Sequence, residues 1–553
     1  MKKVKSNNNI QIVCLIISSL LLMTLVVLPL IILFVKAFEG SDGSFIGLAN
    51  FIQYFTTPNL TNSLFNTIFV SITTAIISVS LAFLYAYAIT RTGVKCKKLF
   101  KFTSMLPLFA PTMMLGIGLI YLFGNQGIFT HLGLRLPLYG PLGIIISEVI
   151  YTFPQVFLVL LVSFSFADNR LYEVAEVIGT SPIKTFFTIT LPSVKYGLIS
   201  SIFIAFSLSF TDFGAPKVVG GNYNVLATDI YKRVVGQQDF IMGAVVGMIL
   251  MLPAILSFTV DRFTQSKNQS TISSKSEDYK IKPNKCRDLV FTAYCAVINL
   301  LILMLLGTVA YASFIKLWPY DKSLTLAHYF MDSPATGGIS SFFNSLLIAS
   351  LTATIGTAFV FINAYLIEKT RKATLLKQTA YFLSIIPLAL PGLAIGISFI
   401  FFFNADSNPL KFIYGSMWIL LIANIVHFYS VPFVTATSSL KKLDKEFEIV
   451  SEAMKVPFYK TFYKVTIPMC LPAILEIAVY LFVNAMVTIS AVIFLYPAQF
   501  KLAAIAIVNM EDAGDIAPAA AISVLIILTN VIVRVLYELI NKKIMNKNLR
   551  SHV

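Results

Sequence analysis

The residue types that do chemistry in enzymes are thinly spread along this chain. Its four histidines (His131, His328, His427 and His552) stand far apart, and its five cysteines (Cys14, Cys96, Cys286, Cys295 and Cys470) show no paired spacing. Neither a metal centre nor a disulfide framework is spelled out. His427 falls in an apolar run, where a packed, hydrogen-bonded imidazole is expected rather than a ligand. No G-x-x-x-x-G-K-[ST] run occurs, and GTSPIKT at Gly179 lacks the spacing with which backbone amides and a lysine cradle phosphates. The expectation is a non-enzyme with no metal and no cofactor of its own, which cannot hydrolyse ATP. Two kinds of chemistry-bearing residue remain. Asn66, Asp212, Asn344, Asn424 and Asn484 are polar groups in or beside apolar runs. Such groups are costly in a membrane and mark either helix–helix hydrogen bonds or the path of a polar solute. Asn66, Asp212, Asn344 and Asn484 stand as path candidates. The second kind is a pair of polar islands, EVAEVIGTSPIKTFFTITLP at Glu173–Pro192 and IVSEAMKVPFYKTFYKVTIP at Ile449–Pro468, which align without a gap.

The elements that must position these residues are membrane helices. The 553 residues are 57% hydrophobic and 12% charged, where a soluble domain carries about 25% charged residues. A bilayer span needs about 20 apolar residues, and roughly twelve such runs can be found. The fold class is therefore all-α polytopic membrane protein. The net charge of +16 fits lysine and arginine collected in cytoplasmic loops, with no nucleic-acid partner required. Ile12–Val35 is longer than a signal-peptide core and lacks a small-residue cleavage site, so it reads as a retained first helix. Five runs follow, near Leu64–Thr90, Phe102–Phe123 (interrupted by Pro107 and Pro111), Leu142–Phe166, Tyr196–Thr211 and Phe240–Val260. The last two are separated by a long loop at Asp212–Gln238. Asp261–Asp288 is Ser- and Lys-rich, cannot bury a core, and reads as a linker. Six further runs follow it, near Leu289–Phe314, Asn344–Ile367, Thr379–Phe403, Tyr414–Val434, Leu471–Val492 and Ile516–Ile540.

The chain repeats itself. AYAITRT at Ala86 returns as AYLIEKT at Ala364, and PLFAPTMMLG at Pro107 returns as PLALPGLAIG at Pro387. Asn66 is matched by Asn344, and Lys184 by Lys460. These offsets stay between 276 and 280 residues, too constant for chance likeness between apolar helices. Two homologous six-helix halves in parallel orientation are expected: residues 1–260, a cytoplasmic linker at 261–288, and residues 289–553. Lys and Arg gather at the N-terminus, Arg91–Lys101, the linker, Lys369–Lys377, Lys441–Lys464 and the C-terminal tail. Positive-inside counting then places both termini, the linker and both islands in the cytoplasm of a multi-pass plasma-membrane protein.

Within the first island, Ala175 and Gly179 share a helix face. Small residues there let another surface approach, with Glu173 and Glu176 solvated beside them. Ser181-Pro182 breaks the helix and starts a second short one. The island resembles the EAA motif of membrane permeases of ATP-binding-cassette importers. Glu173, Ala175, Gly179, Ile189, Leu191 and Pro192 match it, with Val174 at the first Ala. In the second copy Ser451, Lys455 and Ile467 stand at the places of Ala175, Gly179 and Leu191, with Glu452 and Pro468 beside them. The resemblance covers nearly the whole chain as two fused modules of the type I importer permease fold. It implies that Glu173, Ala175, Glu176, Gly179, Pro192, Ser451, Glu452, Lys455 and Pro468 couple the membrane helices to ATPase subunits. It further implies that ATP is used by that partner, a homodimer for a fused permease, and that substrate comes from an extracytoplasmic binding protein.

For the cargo, the segments Thr211–Phe240 and Thr488–Asp515 and the fused layout resemble permeases for 2-aminoethylphosphonate, for which Lys217, Lys232 and Arg233 are suitable cations. Fused ferric iron permeases share the layout and are the alternative. A secondary transporter is a further alternative that lacks the matched intramembrane carboxylates it calls for.

Overall fold

The computed structural model describes residues 2–165, 168–270, 279–333, 335–370, 373–444 and 446–550. Among these, nine helices are long and apolar enough to cross a bilayer, and twelve spans result if three bent helix pairs each count as one. The helices used below are α1 (Asn9–Ala37), α2 (Pro58–Arg91), α3 (Thr112–Phe123), α4 (Pro141–Ser165), α5 (Leu191–Thr211) and α6 (Phe240–Ser270). In the second half they are α7 (Lys285–Phe314), α8 (Ile339–Lys369), α9 (Gly392–Phe403), α10 (Met417–His427), α11 (Leu471–Val487) and α12 (Ile516–Arg550).

The repeated proline motifs break the third span of each half in the same way. A 3-10 turn forms at Leu106–Phe109 and again at Ile386–Ala389. Proline lacks the amide that a helix needs and pushes its predecessor out of the helical region. Ala110 and Leu390, each before a proline, are extended accordingly, with ψ of 142° and 120°. In the second half the break bends the chain by 113°. The glycine ending each motif permits close packing. A Cβ at Gly116 would stand 2.9 Å from Val218, and one at Gly396 would stand 3.1 Å from Phe494. Pro154 and Pro253, by contrast, sit inside unbroken helices.

The first helix of each half crosses to the other half. α1 packs against α8, α9 and the 374–385 helix, and α7 packs against α3 and the 97–104 helix as well as α12. Buried polar contacts fasten these crossings. Ser18 Oγ donates to Asn363 Oδ1 at 3.0 Å, Asn299 Nδ2 donates to the Tyr85 hydroxyl at 2.7 Å, and the Tyr294 hydroxyl donates to the Leu81 carbonyl at 2.9 Å.

Several elements depart from the sequence reading. The stretch Asp212–Gln238 is not a plain loop but carries helices Gly214–Val219 and Leu226–Tyr231, and Ala503–Asp512 is helical in the corresponding place. The basic stretch after α2 holds the helix Lys97–Ser104. α6 continues through the first part of the polar 261–288 segment to Ser270, and α7 begins at Lys285. Local polarity did not end these helices, because a helix emerging from a membrane bundle can extend with solvated side chains.

Candidate functional site

The first island begins with helix Asn169–Val177, capped by the Asp168 carboxylate, which accepts from the Arg170 amide at 3.1 Å. It ends at Gly179, with φ +73°, where the Thr180 amide donates to the Ala175 carbonyl at 2.8 Å and the Gly179 amide to Glu176 at 2.9 Å. This is a left-handed C-terminal cap, a conformation that glycine adopts without a Cβ penalty. Ser181 then caps helix Pro182–Thr185, which runs through a π turn at Phe186–Thr190 into α5. Pro192 lies in the first turn of α5, where its missing amide costs nothing.

The role expected of Ala175 needs correcting. Ala175 is buried in its own chain, 6% exposed. A Cβ at Gly179 would meet nothing within 4 Å. Gly179 takes a left-handed backbone that favours glycine, although Lys455 holds the same conformation in the second island. The outward face is made instead by Val174, Val177, Ile178, Ile183 and Phe187, of which Val177 is 88% exposed. Glu173 and Glu176 are exposed as expected, and each has a partner: Asn169 Nδ2 donates to Glu173 at 2.7 Å, and Glu176 pairs with Lys282.

The second island repeats this architecture with different residues. Helix Glu446–Ala453 ends at Lys455, with φ +57°, and the Val456 amide closes onto the Ser451 carbonyl at 2.9 Å. Lysine thus occupies the left-handed position, at a cost of about 1–2 kcal/mol. The Ser451 hydroxyl bonds that of Thr461. The side chain of Glu452 lies outside the described residues. Phe447, Val450, Met454 and Tyr463 are exposed, and Pro468 opens the short helix Ile467–Met469. Here the helix entering the membrane bends by 77°, whereas the first island runs straight into α5.

Each island is tied to the end of the second span of its half by a cation. Arg91, 4% exposed, donates from Nη2 to the Phe164 carbonyl at 2.8 Å and lies over Tyr172, 5.5 Å from the ring centre. In the second half, Lys369 pairs with Glu448 at 2.8 Å. Arg91 and Lys369 are equivalent by the repeat, as are Tyr172 and Glu448. The first strut has an addition from the segment between the halves. Tyr279 lies 4.3 Å from the Arg91 guanidinium and 4.8 Å edge-on from Tyr172, and the Lys280 amide donates to Asn169 at 3.0 Å. No spacing rule in the sequence pointed to Arg91 or Tyr279.

The path candidates separate into two pairs. Asn66 Nδ2 donates to the Asn224 carbonyl at 2.9 Å, and Asn344 Nδ2 donates to the Lys501 carbonyl at 3.1 Å. The neighbouring hydroxyls of Thr67 and Ser345 accept from the amides of Leu226 and Ala503 at 2.9 and 2.7 Å. These residues pin the segments that follow α5 and α11 to the second and eighth helices. Asp212 and Asn484 come together in one cavity of about 130 Å³ between the halves, whose wall also includes Tyr151, Gln155, His427 and Thr488. Asp212 faces this cavity, as a path candidate should. Its Oδ2 caps the Gly214–Val219 helix, accepting from the Ala215 amide at 2.9 Å. Behind it stands Glu148, fully buried and interacting with Asp212. Sequence reasoning passed over Glu148, although it was legible as a lone carboxylate in an apolar run. The cavity is polar and acidic, so it suits a cation better than an anion.

The outer cations proposed for an anionic cargo are all engaged. Lys217 Nζ lies 2.5 Å from Asp512 of the other half, Lys232 donates to Asn224 at 2.6 Å, and Arg233 donates to Gln237 at 2.9 Å. Nearby, burial pushes the Glu511 carboxyl up to about 7, with Lys217 opposing the shift and Asp512 adding to it.

Comparison with known proteins agrees with the duplication. The profile for the inner membrane component of binding-protein-dependent transport systems matches residues 78–269 and again 364–546. The ferric transport system permease protein FbpB of Actinobacillus pleuropneumoniae is 28% identical over 531 residues, covering 93% of this chain and 76% of that protein. The Fe(3+)-transport system permease protein FbpB 2 of Haemophilus influenzae is 25% identical over 506 residues, covering 91% and 93%. A spermidine/putrescine transport system permease protein PotC homolog of Mycoplasma genitalium is 27% identical over 272 residues, 46% of this chain but 92% of that one, so a single-module relative fits half of this chain.

Proposed function

The chain belongs to the binding-protein-dependent transport system inner membrane component family, as two fused modules of the type I importer permease fold, and from that premise we propose that it is the ferric iron permease of an ATP-driven importer. The observation that carries the cargo is the likeness to ferric permeases along more than nine-tenths of the chain. This replaces 2-aminoethylphosphonate, which finds no support among the relatives and whose suggested cationic contacts are already engaged within the chain. The acidic cavity between the halves supports the same choice.

In this reading the exposed apolar faces of the two islands dock on two identical ATPase subunits in the cytoplasm, where both termini also lie. Iron arrives from an extracytoplasmic binding protein. ATP binding by the partner draws the islands together, and the struts at Arg91 and Lys369 pass that movement to the second span of each half. In this reading ATP is consumed by the partner, and the permease itself needs no cofactor.

The test is uptake of radioactive ferric iron by vesicles containing the permease, its ATPase and its binding protein. ATP-dependent accumulation, insensitive to excess 2-aminoethylphosphonate, is expected. Val177→Asp with Ile178→Asp abolishes both ATPase docking and uptake. Phosphonate uptake without iron uptake overturns the cargo, and full uptake by the double variant overturns the docking face.

A further inference from the structure

We propose that Glu148, Asp212, His427 and Asn484 form a transit site where a hard cation, stripped of most of its water, pauses between the two halves. The proposal rests on the importer reading above and assigns side chains to its path. Glu148 carries the argument. It lies in the middle of α4, is 0% exposed, and meets no hydrogen-bonding side chain other than that of Asp212, itself a carboxylate. Leaving a carboxylate buried and unpaired costs several kcal/mol. Its one charged neighbour, Asp212, has the same sign, which adds to the cost. Among the described residues no lysine or arginine pairs with either group. A fold keeps such an arrangement when the missing positive charge is supplied by something that passes through.

The cavity beside these groups agrees. Tyr151 and Gln155 stand one and two turns beyond Glu148 on the same face of α4, and both line it. His427 faces it from the second half with an unpartnered Nδ1. Asn484 donates its amide nitrogen to the Tyr480 carbonyl at 2.8 Å, which leaves its oxygen for a ligand. Leu108 and Ala110, from the proline-broken turn before α3, complete part of the wall. Non-helical backbone at membrane depth is tolerated where it lines a cavity, and broken helices flank transported ions in other carriers. Two carboxylates, a phenol and an amide oxygen with one imidazole form a hard, oxygen-rich donor set, which favours small, highly charged cations over soft ones. An anionic cargo would be repelled here.

Terbium(III) is a suitable probe, because its emission is excited through a nearby tyrosine, and Tyr151 lines the cavity. With the permease–ATPase complex in lipid nanodiscs, tyrosine-sensitised emission that ferric iron competes away is expected. Glu148→Gln, Asp212→Asn and His427→Gln each weaken terbium binding by about 10–100-fold, while Asp406→Asn, on an exposed loop, does not change it. Asparagine at 212 keeps the oxygen that caps the following helix, so that variant remains informative should Glu148→Gln fold poorly. Unchanged emission in the Glu148 and Asp212 variants overturns the site. Iron uptake by the same proteins separates this from the cargo reading. Wild-type protein that takes up no iron, with terbium binding still lost in the variants, sinks the ferric reading and leaves the site standing. Normal iron uptake with unaltered terbium binding in the variants does the reverse.

Discussion

Gly179 offers a test that separates two physical accounts of the first island. In one, its small size lets a partner's surface come close; in the other, its backbone alone matters. The geometry here favours the second: φ is +73°, and a Cβ would meet nothing within 4 Å. For Gly179→Ala the left-handed conformation costs about 1–2 kcal/mol, offset by about 0.4–1 kcal/mol from the stiffer unfolded chain. The net is about 1 kcal/mol, roughly a fivefold shift in an equilibrium, since about 1.4 kcal/mol is tenfold. That shift falls on the bond from the Thr180 amide to the Ala175 carbonyl. Hydrogen–deuterium exchange over residues 169–190 of the permease without its ATPase should therefore quicken about fivefold. Gly179→Asn is the decisive arm. Asparagine is larger than alanine but visits the left-handed region readily, so its exchange should stay within about twofold of wild type. Faster exchange in the Asn variant than in the Ala variant refutes the backbone account. So does wild-type exchange in the Ala variant combined with lost ATPase binding.

Lys455→Gly relieves the matching strain in the second island, and exchange at the Val456 amide should slow by roughly two- to fivefold. Glu448→Gln removes the counter-charge from the largely covered Lys369 ammonium, at a cost on the order of 1–3 kcal/mol for a hydrogen bond between charged groups. The melting temperature falls, and Lys369→Met with Glu448→Leu restores most of it. Glu511 is raised to about 7 from its ordinary 4.5 by burial, so the folded state holds this proton longer than the unfolded state. Stability then declines as pH rises from about 4.5 to about 7 and levels off above. Glu511→Gln removes that slope from the pH dependence of the melting temperature, and an unchanged slope refutes the assignment.

Much of this protein was written in local patterns. Apolar runs of bilayer length determined the membrane helices, and the repeat offset from Asn66–Asn344 to Lys184–Lys460 determined the duplication. Ser181-Pro182 marked the two-helix form of the first island, because caps and turns depend on neighbours in sequence. Contacts across hundreds of residues were not legible. Asn66 and Asn344 carry the same kind of signal as Asp212 and Asn484, yet the first pair fastens backbone and the second faces a cavity. Glu148 and Asp212 have no carboxylate counterpart in the repeat, where Asn424 and Thr488 stand at the offset of 276; what joins them is the packing of α4 against the chain that leaves α5. The crossing of α1 and α7 to opposite halves likewise leaves no mark, since lipid-facing and protein-facing apolar surfaces use the same residues. Hydrophobicity determined which runs form apolar helices of bilayer length. Only tertiary packing decided which polar groups satisfy one another and which are left unpaired, because that balance depends on partners brought together from distant parts of the chain.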